Sequence, residues 1–151
     1  MTVAPDNWIP AADELAGKTI LVTGATGGIG RAVSSACAAA GAEVLLQGRD
    51  DAALEALYDE ISILSGNTPG IVPLDLNVQD PTIYDTLRDE LEAADTQLDG
   101  LIHNASVLGE RRALAQTSPH SWNEVPRISE DILSISSNKN SGFLTPTLVM
   151  F

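Results

Sequence analysis

Short apolar runs alternate with longer amphipathic stretches over most of the chain. Four runs are rich in leucine and β-branched residues, which is typical of strands buried on both faces of a parallel sheet. They are Ile20–Val22, Glu43–Gln47, Ile71–Leu74 and Leu98–His103. Three stretches between them repeat apolar residues at helical spacing, which predicts helices over 28–40, 51–64 and from Asp80 to about Ala94. Alternating strands and helices predict an α/β fold with a doubly wound parallel sheet.

The same spacing predicts which helical side chains face the sheet. In the first helix they are Ile29, Val33, Ala36, Cys37 and Ala40. In the second they are Leu54, Leu57, Tyr58, Ile61 and Leu64, and in the third Ile83, Leu87, Leu91 and Ala94. On such a face, a lone cysteine is expected to be a small core residue and not a nucleophile.

A glycine-rich turn joins the first strand to the first helix. Thr23 ends the strand, and Gly24, Gly27, Gly28 and Gly30 follow it. Glycine lets the backbone turn tightly and come close to a pyrophosphate, and a helix start presents unpaired N–H groups at the positive end of its dipole. A glycine cluster alone is weak evidence, but a strand before it and a helix after it supply the required context. The turn therefore predicts a dinucleotide site.

This turn resembles the cofactor loop of the short-chain dehydrogenase/reductase family. Thr23-Gly24-x-x-x-Gly28-x-Gly30 matches the ordinary branch, but Gly24, Gly27 and Gly30 also fit the extended, epimerase-like branch. Asn104-Ala105-Ser106 follows the fourth strand and resembles the family's Asn-Ala-Gly, which together with an arginine after the second strand favours the ordinary branch. The resemblance covers about residues 15–125. It implies a three-layer Rossmann-like sheet with strand order 3-2-1-4 and right-handed crossovers.

The resemblance also implies a cofactor site along one edge of this sheet. The implied cofactor-binding residues are Gly24, Thr26, Gly28, Ile29, Gly30, Arg49, Asp75, Leu76, Asn104 and Ala105. NAD sites usually place an acid after the second strand, whereas NADP sites place an arginine nearby. Gly48 occupies the acidic position and Arg49 the next one, so NADP is expected in preference to NAD.

Two of these residues have plainer interpretations. Arg49 could be a solvated arginine at a helix start, where Asp50 and Asp51 suit capping. Asp75 could be a turn residue.

The resemblance stops near residue 125. The family continues with a helix that carries a catalytic asparagine, but this chain has Pro126 within that helix and Ser129 at the asparagine position. The family's later serine and its Tyr-x-x-x-Lys have no counterpart, because Ser62 and Arg88 stand four residues after the two tyrosines. We therefore expect no catalytic residues. The expected organisation is an NAD(P)-binding Rossmann domain over 1–125, a divergent, irregular tail over 126–151, and an incomplete sheet whose fourth strand is an apolar edge.

Three functional interpretations follow. The simplest is a truncated or frameshifted reductase, inactive alone, from a family that transfers hydride between NADP(H) and a carbonyl or alcohol. The second is a non-catalytic dinucleotide-binding or interaction module. The third is a reductase that another chain completes. A family-type homo-oligomer is doubtful, since the half that forms its interface is missing.

Composition and charge bear on the binding of nucleic acid or metal and on the location of the protein. A formal charge of −13 argues against nucleic-acid binding. Cys37 is the only cysteine, which favours a reducing, cytoplasmic location. The N-terminus lacks a signal-peptide pattern, and no apolar stretch approaches the length of a membrane span. Neither histidine has a metal-ligand partner at a suitable spacing, so no metal is expected.

Overall fold

The computed structural model describes residues 11–76, 82–106 and 147–150. The strands are β1 (Thr19–Val22), β2 (Glu43–Gly48), β3 (Gly70–Pro73), β4 (Gly100–His103) and β5 (Thr147–Met150). The helices are α1 (Gly28–Ala39), α2 (Asp51–Ser65) and α3 (Thr82–Ala93). The strands form one sheet in the order β3-β2-β1-β4-β5, and every neighbouring pair is parallel. The predicted α/β class and the order 3-2-1-4 are confirmed.

A fifth strand was not predicted. Thr147–Met150 pairs with β4, with Leu101 beside Leu148 and Ile102 beside Val149. The expectation that β4 is an unpaired edge is therefore wrong. Leu148, Val149 and Met150 form a continuous apolar run, and periodicity cannot identify so short a run as a strand. Residues 107–146 lie outside the described residues. They include Pro126 and Ser129, the positions compared above with the family's catalytic helix and its asparagine.

The ends of α2 follow from local chemistry. Asp50 is its N-cap, and the Asp50 Oδ1 accepts a hydrogen bond from the Ala53 N–H at 3.1 Å. Gly66 ends the helix in the left-handed region with φ of 71°, which glycine adopts without strain. Both ends agree with the prediction to within one residue.

Both faces of the sheet carry a core, as a doubly wound sheet requires. Side chains alternate along β1, so Ile20 and Val22 pack on one face and Leu21 on the other. The first face is covered by α1 and α2, whose buried residues include Ala38, Leu54, Leu57 and Ile61. On the second face, Leu21, Leu45, Leu98 and Leu101 form a smaller cluster with Leu91 of α3 packed against it.

The buried side of α1 differs from the prediction. Its buried residues are Gly30, Ser34 and Ala38, with Val33 and Cys37 packed beside them, whereas Ile29 is 62% exposed. The prediction followed the large apolar residues, but small residues at four-residue spacing let a helix lie close to its neighbours. The predicted inward positions Ala36, Leu64 and Ala94 are also exposed. The side chain of Ile83 lies outside the described residues.

Among the described residues, two ion pairs join parts of the fold that are distant in sequence. Lys18 Nζ lies 2.8 Å from Asp99 Oδ1, and Asp99 Oδ2 accepts the Thr19 N–H at 3.0 Å, which ties the start of β1 to the start of β4. The hydrogen bond from Lys18 has the largest effect and the one from the Thr19 N–H the next largest, and both hold the pKa of Asp99 below its usual value. Arg31 of α1 pairs with Glu60 of α2 at 2.9 Å.

Within the described parts of the chain, no helix combines the length and apolar character needed to cross a bilayer.

Candidate cofactor site

A pocket of about 520 Å³ opens at the carboxyl edge of the sheet. It is lined by Gly24, Thr26, Gly27, Gly28, Ile29, Gln47, Gly48, Arg49, Leu74, Asp75, Leu76, Asn104, Ala105 and Ser106. These residues come from the segments that follow β1, β2, β3 and β4. Because β2 and β4 flank β1 on opposite sides, the pocket lies where the strand order reverses, which is the usual ligand site of open parallel sheets.

The turn after β1 has a shape that only glycine permits. Gly24 has a φ of 61°, and a Cβ there would lie 2.9 Å from the Ala105 Cα. A Cβ on Gly30 would overlap the Gly24 carbonyl oxygen and lie 2.7 Å from Asn104 Nδ2. Gly24 therefore lies close to the segment after β4, and Gly30 brings the first turn of α1 close to Gly24.

A polar network fixes the end of β1 to the end of β4. The buried Thr23 Oγ1 accepts the N–H groups of Asn104 and Ala105 at 3.1 and 3.0 Å. In return, Asn104 Nδ2 donates to the Thr23 and Gly24 carbonyl oxygens at 3.1 and 3.0 Å. Both carbonyl partners require a donor, so they fix the orientation of the amide.

A second polar side chain approaches the turn from β2. Gln47 Oε1 accepts the Gly24 N–H at 3.1 Å, and Gln47 Nε2 donates to the Leu74 carbonyl oxygen at 2.6 Å. From the sequence alone, Gln47 is only the end of a strand. The available signal was one polar residue at the end of an otherwise apolar run, Val44–Leu46. Thr23 belongs to the motif of the glycine turn, but nothing in the sequence indicated that its hydroxyl binds the segment after β4.

All of the predicted cofactor-binding residues except Gly30 line the pocket. Gly30 is buried and makes close backbone contacts behind the turn. Ile29, which is exposed on α1, lies at the pocket. Neither Cys37 nor His103 is a lining residue, and burial raises the pKa of the Cys37 thiol, which disfavours a reactive thiolate.

The electrostatic character of the pocket suits an anion. The first turn of α1 borders it at Gly28 and Ile29, and that turn contains no acidic residue. The opening N–H groups of a helix have no intrahelical acceptors and favour negative charge. Arg49 is the basic side chain among the described lining residues, and Asp75 is the acidic one. No group of three or more potential metal ligands occurs in the described residues.

Comparisons with known proteins agree with this geometry. The family model for short chain dehydrogenases matches residues 18–144. The uncharacterised oxidoreductase YciK of Escherichia coli K12 is 32% identical over 120 residues, which are 80% of this chain and 48% of YciK. A solved short chain dehydrogenase from Escherichia coli CFT073 superposes with a TM-score of 0.80 at 29% identity, covering 93% of this chain and 64% of that one.

A third comparison concerns a protein with a bound ligand. A short chain dehydrogenase of Escherichia coli CFT073 solved with NADPH superposes with a TM-score of 0.76 at 31% identity. The match covers 83% of this chain and 52% of that one. The chain therefore spans about half of YciK and of this NADPH complex.

Proposed function

We propose that this chain, which belongs to the short-chain dehydrogenase family, binds NADP(H) in the pocket at the carboxyl edge of its sheet. The observation that carries the proposal is that the glycine turn, the start of α1 and Arg49 border the same cavity.

Each part of the pocket suits one part of the dinucleotide. The backbone at Gly24, Thr26, Gly28 and Ile29 suits the pyrophosphate, because N–H groups and the dipole of α1 favour negative charge. Arg49 suits a 2′-phosphate, which a guanidinium binds more strongly than a neutral hydroxyl. Leu76 offers an apolar surface for the adenine beside Asp75, and Asn104 and Ala105 form the opposite wall. Gly30 supports this site through its contacts behind the turn.

Binding, not turnover, is the activity proposed for this chain alone. A bound nicotinamide supplies hydride for the reduction of a carbonyl in this family. Such a reduction needs a proton donor, and the family's Tyr-x-x-x-Lys does not occur in this sequence. The same observation supports the second candidate, a non-catalytic dinucleotide-binding module. Residues 1–125 are proposed as the nucleotide-binding domain and 126–151 as a divergent tail, which contributes β5 to the same sheet. The lone Cys37 supports a cytoplasmic location.

A comparative titration tests the proposal. The full chain is titrated with NADPH and NADH, and the titrations are repeated with Arg49→Ala and with Arg88→Ala. Arg88 is a matched control because it pairs with Asp85 on α3 and is not a lining residue. We expect NADPH to bind more tightly. We also expect Arg49→Ala to weaken NADPH about tenfold, the order of one charge-assisted hydrogen bond, and to leave NADH and the control unchanged.

The opposite pattern would overturn the assignment. A preference for NADH that Arg49→Ala leaves unchanged would mean that Arg49 does not select the cofactor. A chain that binds neither nucleotide would refute the binding proposal. The same wild-type preparation is expected to show no NADPH oxidation with a panel of aldehydes, ketones and quinones.

A further inference from the structure

One buried side chain beside the pocket has hydrogen-bonding partners on two other segments. Gln47 is 3% exposed and follows the apolar residues Val44–Leu46 on β2. A buried amide without partners would be costly, so a glutamine at this position needs specific bonds. Both polar atoms of its side chain have such bonds.

The two ends of the Gln47 amide bind opposite types of group. Its oxygen accepts the Gly24 N–H, and its nitrogen donates to the Leu74 carbonyl oxygen. The Gln47 main-chain carbonyl also accepts the Ala25 N–H at 2.9 Å. One residue therefore holds the glycine turn at two points and the chain beyond β3 at a third.

Strand order explains why this residue can make the link. β1 and β3 are separated by β2, so their ends are roughly 9.5 Å apart, which is two strand spacings. No backbone hydrogen bond can cross that distance. A side chain at the end of the middle strand can reach both neighbours, and Gln47 does so.

Asn104 completes the restraint on the glycine turn. Its amide nitrogen donates to the Gly24 carbonyl oxygen at 3.0 Å. Gly24 is thus bound at its N–H from β2 and at its carbonyl from the segment after β4. Gly24 has a φ of 61°, and a glycine can also adopt many other backbone conformations. These two bonds therefore hold the backbone of Gly24 in one of them.

We propose that Gln47 is a positioning residue for the cofactor, which sets the gap between the glycine turn and the Leu74–Leu76 wall. This inference rests on the proposed function, since the adenosine ribose would occupy that gap beside Arg49. Gln47 acts through Gly24 and Leu74, and its amide is fully engaged with them. Its loss loosens both walls, so it weakens ligands that span the gap.

Variants at Gln47 test this role. Gln47→Met removes both side-chain bonds at similar volume. Gln47→Glu keeps an acceptor for the Gly24 N–H and loses the donor to Leu74. Ile61→Val is the control, because it trims a buried α2 residue that is not a lining residue and lowers stability only. Each protein is titrated with NADP⁺ and with adenosine 2′,5′-bisphosphate. The urea midpoint of each variant is measured first, so that every titration is made at a urea concentration well below it.

The expected result is a loss of affinity of about tenfold for both ligands in both Gln47 variants, on the scale of the hydrogen bonds removed. The bisphosphate must lose as much as NADP⁺, because it contains all the groups that span the gap. Ile61→Val is expected to bind both ligands like the wild type.

Three outcomes would overturn the inference. Wild-type affinity in Gln47→Met would remove the positioning role, and wild-type affinity in Gln47→Glu would remove the link to Leu74. A loss for NADP⁺ without a loss for the bisphosphate would place the effect outside the gap. Failure of the wild type to bind either ligand would instead overturn the proposed function, and the positioning role with it.

Discussion

Substituting alanine for Gly30 and for Gly28 should have opposite consequences, although the two residues lie two positions apart in α1. A Cβ on Gly30 would overlap the Gly24 carbonyl oxygen, and it would lie 2.7 Å from Asn104 Nδ2 and 2.9 Å from the Ala25 Cα. Two of these three atoms belong to the backbone, so rotation of a side chain cannot relieve the overlap. A Cβ on Gly28 would have no atom within 4 Å.

The expected magnitudes follow from these contacts. Overpacking of this kind costs about 1–3 kcal/mol, and displacing the Asn104 amide from Gly24 costs about 1 kcal/mol more. Alanine returns about 1 kcal/mol through its better helix propensity. Gly30→Ala should therefore lower the free energy of unfolding by about 1–3 kcal/mol. Gly28→Ala should leave it unchanged or raise it by up to about 1 kcal/mol.

Urea unfolding followed by far-ultraviolet circular dichroism measures the difference. A shift of the midpoint at constant slope reports a change in stability alone. In a thermal scan, Gly30→Ala should melt roughly 2–12 °C below the wild type, using about 2–4 °C per kcal/mol for a chain of this size. Equal effects of the two substitutions, or a change below about 0.5 kcal/mol for Gly30→Ala, would refute the close approach of α1 to the turn.

Two further predictions concern the ends of the strands. Thr23→Val should lower the free energy of unfolding by about 1–3 kcal/mol, because the N–H groups of Asn104 and Ala105 lose their acceptor. Thr23→Ser should retain most of the free energy of unfolding, because it keeps the hydroxyl. If urea unfolding showed an equal loss in both variants, the hydroxyl would not be the stabilising group. Asp99→Asn should cost about 1 kcal/mol or less at pH 7, since Lys18 is half exposed and its pair is screened. The pKa of Asp99 is lowered in the fold, so this contribution is present above the unfolded pKa of about 4 and is lost as pH falls through the lower folded value. A difference between Asp99→Asn and wild type that grows towards pH 3 would contradict that sign.

Local patterns in the sequence were sufficient for most of the fold. The apolar runs of β1 and β2, the glycine turn and the cap at Asp50 are features of neighbouring residues, so they can be recognised without knowing the structure. The parallel sheet and the segments that form the pocket follow from them, because carboxyl ends of parallel strands meet at one edge. The resemblance to the family, and not a local pattern, implied that Arg49 and Asp75 bind the cofactor, and both residues line the pocket.

Features that depend on distant contacts could not be predicted in the same way. Thr147–Met150 becomes a strand by pairing with β4, and nothing in its own short apolar run distinguishes it from a buried helix segment. The buried side of α1 depends on how closely Gly30 approaches Gly24, which the spacing of large apolar residues does not report. The Gln47 bonds join segments after three different strands, so no local pattern contains them.

The polar side chains around this pocket divide into two kinds, and the division predicts how each affects cofactor choice. Thr23, Gln47 and Asn104 have their donors and acceptors directed at the backbone of neighbouring segments. They shape a turn that any dinucleotide pyrophosphate would meet, so their loss should weaken NADPH and NADH by similar factors. Arg49 is exposed in the pocket, and a 2′-phosphate is the group by which the two dinucleotides differ. Its loss should therefore weaken NADPH alone.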